Sequence, residues 1–406
     1  MSEKGSAWEV LRAFLALGLT SFGGPIAHLG YFRREFVEKR QWLGPEDYGA
    51  LVSLCQFLPG PASSQVGFCL GLKRAGLLGG LAAWLGFTLP SCVVMVAAAH
   101  YIHVFQHQPA ISGLLHGLQL AAVAVVAQAV WMMAQSLCPD TPRRALALLA
   151  AAVLGLMPGS GGQLMVLGIG ALTGWATLDD SSLVKHRERR RMAREWPEAK
   201  REIRLHGPAL FSLALFGLLL AATLLPLPVH GPWALAGAFY HAGALVFGGG
   251  HVVLPLLHNS LVTPGWISPQ LFLSGYGAAQ AMPGPLFSVA GFLGTAISGE
   301  RGALIAIIAL FLPGLLLAGG TLPYWQALRR KPQIAAVVKG VNAAVVGLLG
   351  AALINLFTIS TVQSLWDLPI MLGALLLLTV GRARPLIVVV FCAAAGSLIF
   401  TYPYIF

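Results

Sequence analysis

The sequence predicts an all-α polytopic membrane protein: two homologous halves of inverted topology, with re-entrant or broken helical hairpins meeting near the membrane centre. Three observations lead there. Of the 406 residues, 57% are hydrophobic and 10% charged, with a mean hydropathy of +0.75, whereas a soluble domain carries about 25% charged residues. One unusual signature occurs twice, about 224 residues apart. The basic loops of one half correspond to non-basic loops of the other.

Apolar runs at 79–100, 110–137, 144–157, 161–178, 207–225, 303–322, 333–355, 369–380 and 385–402 are candidate spans, each compared with the roughly 20 residues a crossing requires. The runs at 144–157 and 369–380 are short and would need their flanks. Segment 179–206 is the one long hydrophilic stretch, with nine Lys/Arg and four Glu. It reads as a solvated, helical cytoplasmic linker, with a lipid-headgroup or regulatory role as the alternative. The expected organisation is a first repeat over 1–178, this linker, a connecting helix over 207–229 and a second repeat over 230–406. Met1 to Arg12 is polar and lacks a small-residue cleavage site, which speaks against a removable signal peptide.

The duplication is specific. Gln56-Phe57-Leu58-Pro59-Gly60-Pro61 is answered by Gln280-Ala281-Met282-Pro283-Gly284-Pro285, and Phe22-Gly23-Gly24-Pro25 by Phe247-Gly248-Gly249-Gly250. Trp42 and Trp266, Ser64 and Ser288, Leu89-Pro90 and Leu312-Pro313, and Gly117 and Gly340 keep the register. Charge orients the copies. Arg33, Arg34, Lys39 and Arg40 match the uncharged stretch His258–Pro269, and Lys73-Arg74 matches the self-cancelling Glu300-Arg301. The next loop reverses the contrast, with Gln106–Pro109 against Arg329-Arg330-Lys331-Pro332; then Arg143-Arg144 stands against Trp366-Asp367. Under the positive-inside rule, equivalent loops lie on opposite sides of the membrane.

One apolar stretch, about 13–30, separates two basic segments, and 42–75 starts and ends on the same basic side. Both facts fit chains that enter, turn midway and return. The turning points are Phe22–Pro25 and Pro59–Pro61, then Phe247–Gly250 and Pro283–Pro285. Four complete spans, one connecting span and four more result, with two hairpins per half. Treating the hairpins as ordinary crossings gives about thirteen spans, but puts Arg33–Arg40 or the N-terminus on the wrong side.

Clustered helix breakers at matching places in two apolar halves point to a transporter's binding site. Helix starts at mid-membrane offer free N–H groups and a positive dipole end, which suit an anion. Gly23, Gly24, Gly248, Gly249 and Gly250 let backbone approach a ligand. Pro61 and Pro285 suit the first turn of a returning helix, with Ser63, Ser64 and Ser288 behind them. Gln56, Gln280, Ser64, His28 and His251 are the neutral donors expected to complete an oxyanion cage. The alternative is that these Gly and Pro residues are kinks or close-packing positions. All fifteen carboxylates lie in termini, loops or helix ends, which argues against a cation substrate and carboxylate-based proton coupling. If protons are coupled, His28, His251 and Glu35 are the candidates, against a structural or interfacial role for each.

His100, His103 and His107 share one helix face at a span end, where solvated histidines compete with a metal site; no metal and no cofactor is expected. The five cysteines lack a C-x-x-C pair and read as packing residues. The net charge of +11 sits largely in loops, so no nucleic-acid partner is implied. There is no nucleophile motif and no phosphate loop. A membrane redox enzyme would need a cofactor ligand set, and an anion channel would share the same cage.

Ser21-Phe22-Gly23-Gly24-Pro25, Gln56-x-x-Pro59-Gly60-Pro61 and their second-half counterparts resemble the duplicated, long-chain form of the chromate ion transporter family, over about 10–178 and 230–402. The resemblance implies a bacterial or archaeal inner-membrane protein, not an enzyme, that exports chromate and confers chromate resistance. Sulfate is the isosteric competitor, and another oxyanion such as sulfate is the alternative substrate. Arg33, Arg34 and Lys73 would draw the dianion to the cytoplasmic mouth, with the N-terminus and the 179–206 linker on that side. The second half departs at Gly250-His251, where the first has Pro25-Ile26, so the two tips need not contribute equally. Monomer and homodimer both stay open.

Overall fold

The computed structural model describes residues 5–105, 108–157, 159–177, 206–225, 231–325, 332–358 and 364–401, and every regular element among them is helical. The first half contains α1 (Ala7–Thr20), α2 (Gly24–Phe32), α3 (Pro45–Phe57), α4 (Ala62–Phe105), α5 (Pro109–Leu137), α6 (Thr141–Leu156) and α7 (Ser160–Thr177). A connecting helix, α8 (Gly207–Ala222), leads to α9 (Pro232–Ala244), α10 (Val253–Leu257), α11 (Pro269–Gln280), α12 (Val289–Thr321), α13 (Pro332–Thr358), α14 (Asp367–Thr379) and α15 (Pro385–Thr401). Of the expected 179–206 linker, all but His206 lies outside the described residues.

Local chemistry sets the boundaries. Pro45, Pro109, Pro232 and Pro269 open their helices, where a missing N–H costs nothing. Ser6 and Asp140 cap α1 and α6 by accepting from the Glu9 and Arg143 N–H groups at 3.1 and 3.0 Å.

The duplication extends to backbone conformation. Within α4 the helix breaks at Ala75 (φ −143°, ψ 28°) and Gly76 (φ 65°, ψ −158°). Within α12 it breaks at Ser298 (φ −146°, ψ 28°) and Gly299 (φ 63°, ψ −154°). A Cβ on Gly71 would strike the Gly79 carbonyl, and one on Gly294 the Gly302 carbonyl. The limbs therefore fold back on each other, and α4 and α12 are each a tight helical hairpin with a short and a long limb. The positive φ at Gly76 and Gly299 is affordable because glycine has no side chain. Both α2 and α10 continue as π-helices, Arg33–Lys39 and His258–Val262.

The ends of the first-half segments converge. Arg74, at the end of the short limb of α4, pairs with Glu9 at 3.2 Å, and its guanidinium lies 5.3 Å from the Trp42 ring centre. The chain thus leaves from Glu9, turns at residues 21–24, returns by Trp42, turns again at residues 58–61 and comes back to Arg74. Phe14, Phe32 and Phe36 pack between these segments, with Phe14 and Phe36 stacked at 4.7 Å.

The halves also exchange partners. Helix α5 packs on α14 and α15 of the second half, while α13 packs on α6 and α7 of the first. Small residues make both crossings close: a Cβ on Gly117 would enter the Cys392 carbonyl, and one on Gly340 the Gly170 carbonyl. All five cysteines are buried free thiols.

All nine expected spans coincide with described helices, but their lengths differ from expectation. Among the described residues, four helical stretches, 62–102, 110–137, 286–324 and 333–357, are long and apolar enough to cross a membrane, and the first and third contain the hairpin turns. Helices α6, α8, α14 and α15 run 16, 16, 13 and 17 residues and α7 runs 18. At 1.5 Å per residue the shortest span about 20 Å, less than the roughly 30 Å of a hydrocarbon core. Met157, Leu224, Leu225 and Val380, counted toward spans in the sequence, lie in turns or bends beyond their helices instead.

Gly117→Ala and Gly340→Ala are each expected to destabilise the detergent-purified protein by about 1–3 kcal/mol through overpacking. Gly168→Ala, where a Cβ meets nothing within 4 Å, should be neutral; thermal melting of the three variants checks this.

Candidate functional site at the paired turns

The two P-G-P turns are tied to the opposite half. The Gly60 N–H donates to the Val246 carbonyl at 2.7 Å, and the Gly284 N–H donates to the Ser21 carbonyl at 2.9 Å. Ser21 and Val246 occupy equivalent positions, each just before its glycine cluster. The arrangement is a reciprocal contact of the kind a two-fold axis produces. At its centre the equivalent residues Pro25 and Gly250 meet: a Cβ on Gly250 would lie 3.7 Å from Pro25 Cγ.

Positive φ marks the turns, at 107° and 79° for Gly23 and Gly24, 75° and 149° for Gly248 and Gly249, and 123° and 88° for Gly60 and Gly284. Added Cβ atoms on Gly24 and Gly249 would meet nothing within 4 Å, so their backbone borders open space. A Cβ on Gly60 would lie 2.8 Å from Gln65 Nε2 and 2.9 Å from Gly314 Cα, so Gly60 holds the two halves in contact. Phe22, Phe247, Pro59 and Pro283 are half-buried beside these turns. Pro61 and Pro285 are buried.

Around the turns, six buried polar atoms make no hydrogen bond within the protein: Ser21 Oγ, Ser64 Oγ, Gln65 Oε1, Thr88 Oγ1, Gln280 Nε2 and Ser288 Oγ. Ser64 and Ser288 are equivalent. Thr88 sits beside Ser91, whose Oγ would lie 3.1 Å from a Cβ on Gly284. Gln65 uses its amide N–H groups on the Pro59 and Gly314 carbonyls at 2.8 and 3.1 Å. Buried polar groups are ordinarily satisfied, so these six atoms set the turns apart from the packed helix crossings.

Several sequence expectations change. Four α-helix starts were expected at the turns. Helices α2 and α4 do begin there, but the second-half segments open with 3₁₀ turns, Gly250–Val252 and Leu286–Ser288. At the first, Gly250 replaces the proline that fixes φ in α2. The donors differ too. His28 Nε2 lies 3.2 Å from the Ser21 carbonyl, which can only accept, so this nitrogen carries the proton and spends it locally. His28 Nδ1 faces Ser63 Oγ at 3.4 Å. His28 is therefore a brace of the turn, and Ser63 is its partner. His251 Nδ1 pairs with the Tyr276 hydroxyl at 2.8 Å. Gln56 is exposed while Gln280 is half-buried, so the two copies of the motif do not present the same donor.

Glu35 is held in ion pairs. Its carboxylate accepts from Arg40 at 2.7 Å and pairs with Lys39 at 3.3 Å. The Arg40 hydrogen bond holds its carboxyl below the ordinary carboxylate range. Arg33, Arg34 and Lys73 are exposed, and Arg33 lies 3.6 Å from Glu38. His100 is exposed; His107 and the side chain of His103 lie outside the described residues. Among the described residues no group of three His, Cys, Asp or Glu could hold a metal.

Sequence reasoning passed over two features. His116 on α5 and Asp367 at the start of α14 form a buried pair at 2.8 Å across the halves. Lys339, at the position equivalent to His116, is a half-buried cation within α13. A polar side chain inside an apolar run is the signal that could have found His116 and Lys339; Asp367, at a helix end, gave none.

The comparisons with known proteins follow the same two-part plan. A family model described as chromate transporter matches residues 8–175 and 233–397. A probable chromate transport protein of Synechococcus elongatus is 30% identical over 97% of this chain and 95% of its own length. A chromate transport protein of Pseudomonas aeruginosa is 28% identical over 97% and 92%. An uncharacterized transporter of Methanocaldococcus jannaschii is 24% identical over 97% and 94%. No solved structure matches the chain.

Glu35→Gln should leave the pH dependence of transport between about pH 6 and 8 unchanged, because a carboxyl held below its usual range is fully ionised there. Its ion pairs stabilise the fold near neutrality and are lost as pH falls through that lowered value, so the variant should melt below wild type near neutral pH and converge with it in acid. Flux and melting measured against pH check both.

Proposed function

The chain belongs to the chromate transporter family, and from that premise we propose that it exports the chromate dianion across an inner membrane by alternating access at the paired turns. The coarse reading follows from membership and composition: it is a multi-pass membrane protein of a transport family, not an enzyme. The observation that carries the finer reading is the docking of each P-G-P turn on the segment before the other half's glycine cluster, beside buried polar atoms that the protein leaves unsatisfied.

The proposed units are an N-terminal repeat over 1–178 and a C-terminal repeat over 230–406, inverted with respect to each other. Contacts support the inversion. Gly319, near the end of the long limb of α12, faces Phe68 and Leu72 by the first hairpin turn. Glu300, at the second hairpin turn, shares a groove with His100, Tyr101 and Val104 near the far end of the long limb of α4. The turns thus sit toward opposite ends, consistent with basic loops on one side. Return of the first-half segments to Glu9, Trp42 and Arg74 supports re-entrant hairpins entering from the cytoplasmic side.

In the mechanism, Arg33, Arg34 and Lys73 concentrate anions at the cytoplasmic mouth. The backbone at Gly23, Gly24, Gly248 and Gly249 admits the ion close to the chain, the α2 and α4 starts supply positive dipole ends, and Ser64, Ser288 and Gln280 donate hydrogen bonds. No fixed charge lies at the turns, so release is not opposed by an ion pair. An inside-negative membrane drives a dianion outward by about 4.6 kcal/mol per 100 mV, from roughly 2.3 per charge.

The test is chromate uptake into inside-out membrane vesicles under an imposed inside-positive potential, with sulfate as competitor. Saturable uptake is expected. The Ser64→Ala/Ser288→Ala double variant should raise KM about a hundredfold or more, since the two lost hydrogen bonds to a charged group are worth about 1.5–3 kcal/mol each. Its stability should change little, because neither hydroxyl has a protein partner. Uptake of sulfate alone would change the substrate, ohmic unsaturable currents would indicate a channel, and wild-type KM in the variant would refute the site.

A further inference from the structure

A cavity of about 100 Å³ with one polar wall lies away from the turns, between α6, α7, α13 and the π-helix that follows α10. Its polar wall is formed by Gln163, His258, Asn259 and Asn355, and the rest is mainly apolar, including Leu154 and Leu348. A single water needs roughly 10–15 Å³ on this scale, so an ion of several heavy atoms fits. Gln163 is 2% exposed and its Nε2 donates to the Pro255 carbonyl at 3.2 Å, fixing the amide in the wall. His258 is oriented by edge-on packing against Phe272, with ring centres 5.5 Å apart.

His258 and Asn259 occupy the positions that Arg33 and Arg34 hold in the first half, and both pairs lie in the matching π-helices. In an inverted repeat, equivalent positions serve opposite faces. The first pair lies exposed on the side assigned to the cytoplasm. The second, an imidazole hydrogen-bonded to the adjoining amide, lines a cavity beside the C-terminal ends of α6 and α13. Their negative dipole ends weaken the hold on an anion there. We propose that this cavity is the outer release site of the transport path, taking a tetrahedral oxyanion through neutral side chains. The inference rests on the transport reading for its place in the cycle and on the cavity for its location.

The charge difference suits the two tasks. Capture from a dilute cytoplasmic pool gains from cations, which raise the local anion concentration. Release gains from neutral partners, because hydrogen bonds to ionised groups are roughly twice as strong as those between neutral ones.

The test is thiol protection in membranes containing the full-length protein. Asn259→Cys and Asn355→Cys place a thiol on two walls of the cavity, while the native cysteines are all buried. A membrane-impermeant maleimide is applied from either face, with sulfate or tungstate as protectant, since these tetrahedral dianions do not oxidise thiols. Labelling is expected from the outer face, slowed about tenfold by either anion at ten times its Kd, as the free fraction falls with 1 + [L]/Kd. Leu365→Cys, at a position 85% exposed, should be unaffected by the anions. Absence of protection at both cavity positions overturns the binding site, and labelling from the cytoplasmic face alone overturns its placement. Chromate flux by the wild-type protein in the same membranes is read separately. Protection without flux would refute the transport reading while leaving an oxyanion site, and flux without protection would refute this site alone.

Discussion

The architecture depends on two hydrogen bonds that each half supplies to the other, Gly60 N–H to the Val246 carbonyl and Gly284 N–H to the Ser21 carbonyl. A chain that breaks its helices within a packed apolar interior exposes peptide groups that water cannot reach, and each unsatisfied group there costs several kcal/mol. Here the broken backbone of one repeat is completed by the carbonyl before the glycine cluster of its twin. The Ser21 carbonyl also takes the His28 Nε2 proton, so one acceptor gathers two otherwise stranded donors. Neither repeat satisfies the glycine N–H of its own P-G-P turn, which gives a physical reason for both to be present.

The same dependence appears at the periphery. Because α5 packs on α14 and α15, and α13 on α6 and α7, separating the halves would expose the Gly117 and Gly340 crossings together with the turns. Close backbone approach at these glycines depends on dispersion between well-fitted surfaces, which suits an apolar surrounding that offers helices no hydrophobic drive to associate. The turns are different in kind. There the backbone borders open space at Gly24 and Gly249, and buried hydroxyls wait without partners. Rigid crossings outside and unsatisfied polar groups inside are a distribution that permits a bound ion to complete the centre.

Much of this was legible in the sequence, for identifiable reasons. The breaks at Phe22–Pro25 and Pro59–Pro61 announce themselves because Gly and Pro act locally, through φ and a missing N–H. The return of the chain at Ala75-Gly76 was readable from Lys73-Arg74 lying just before a new apolar run. Partner exchange was not, since which helix meets which depends on surfaces that share no local signal. Nor was the fate of His28: a histidine near a turn reads as a donor, and only its contact with the Ser21 carbonyl reveals that the proton is spent. The 3₁₀ openings at Gly250 and Leu286 likewise depend on how neighbouring segments close, with Gly250 lacking the proline constraint that Pro25 provides.

The departures from symmetry carry a separate argument. A strictly symmetric inverted repeat would give inward-open and outward-open forms of equal energy, leaving the membrane potential as the source of bias. This chain breaks the symmetry at positions along one line of reasoning: Pro25 against Gly250 at the axis, Arg33-Arg34 against His258-Asn259 toward the mouths, and His116, held by Asp367, against Lys339 within the crossing helices. At the last two pairs, the cation lies on the side assigned to the cytoplasm, and its counterpart is uncharged or bound to a carboxylate. Under the proposed export reading, a dianion travelling outward would leave cations behind and meet neutral or acidic surroundings. Charges so placed cannot change the overall driving force, which is fixed by concentration and potential. They can lower the cost of entry on one side and the residence time on the other, and kinetic steps of that kind decide how much of the available 2.3 kcal/mol per charge per 100 mV becomes flux.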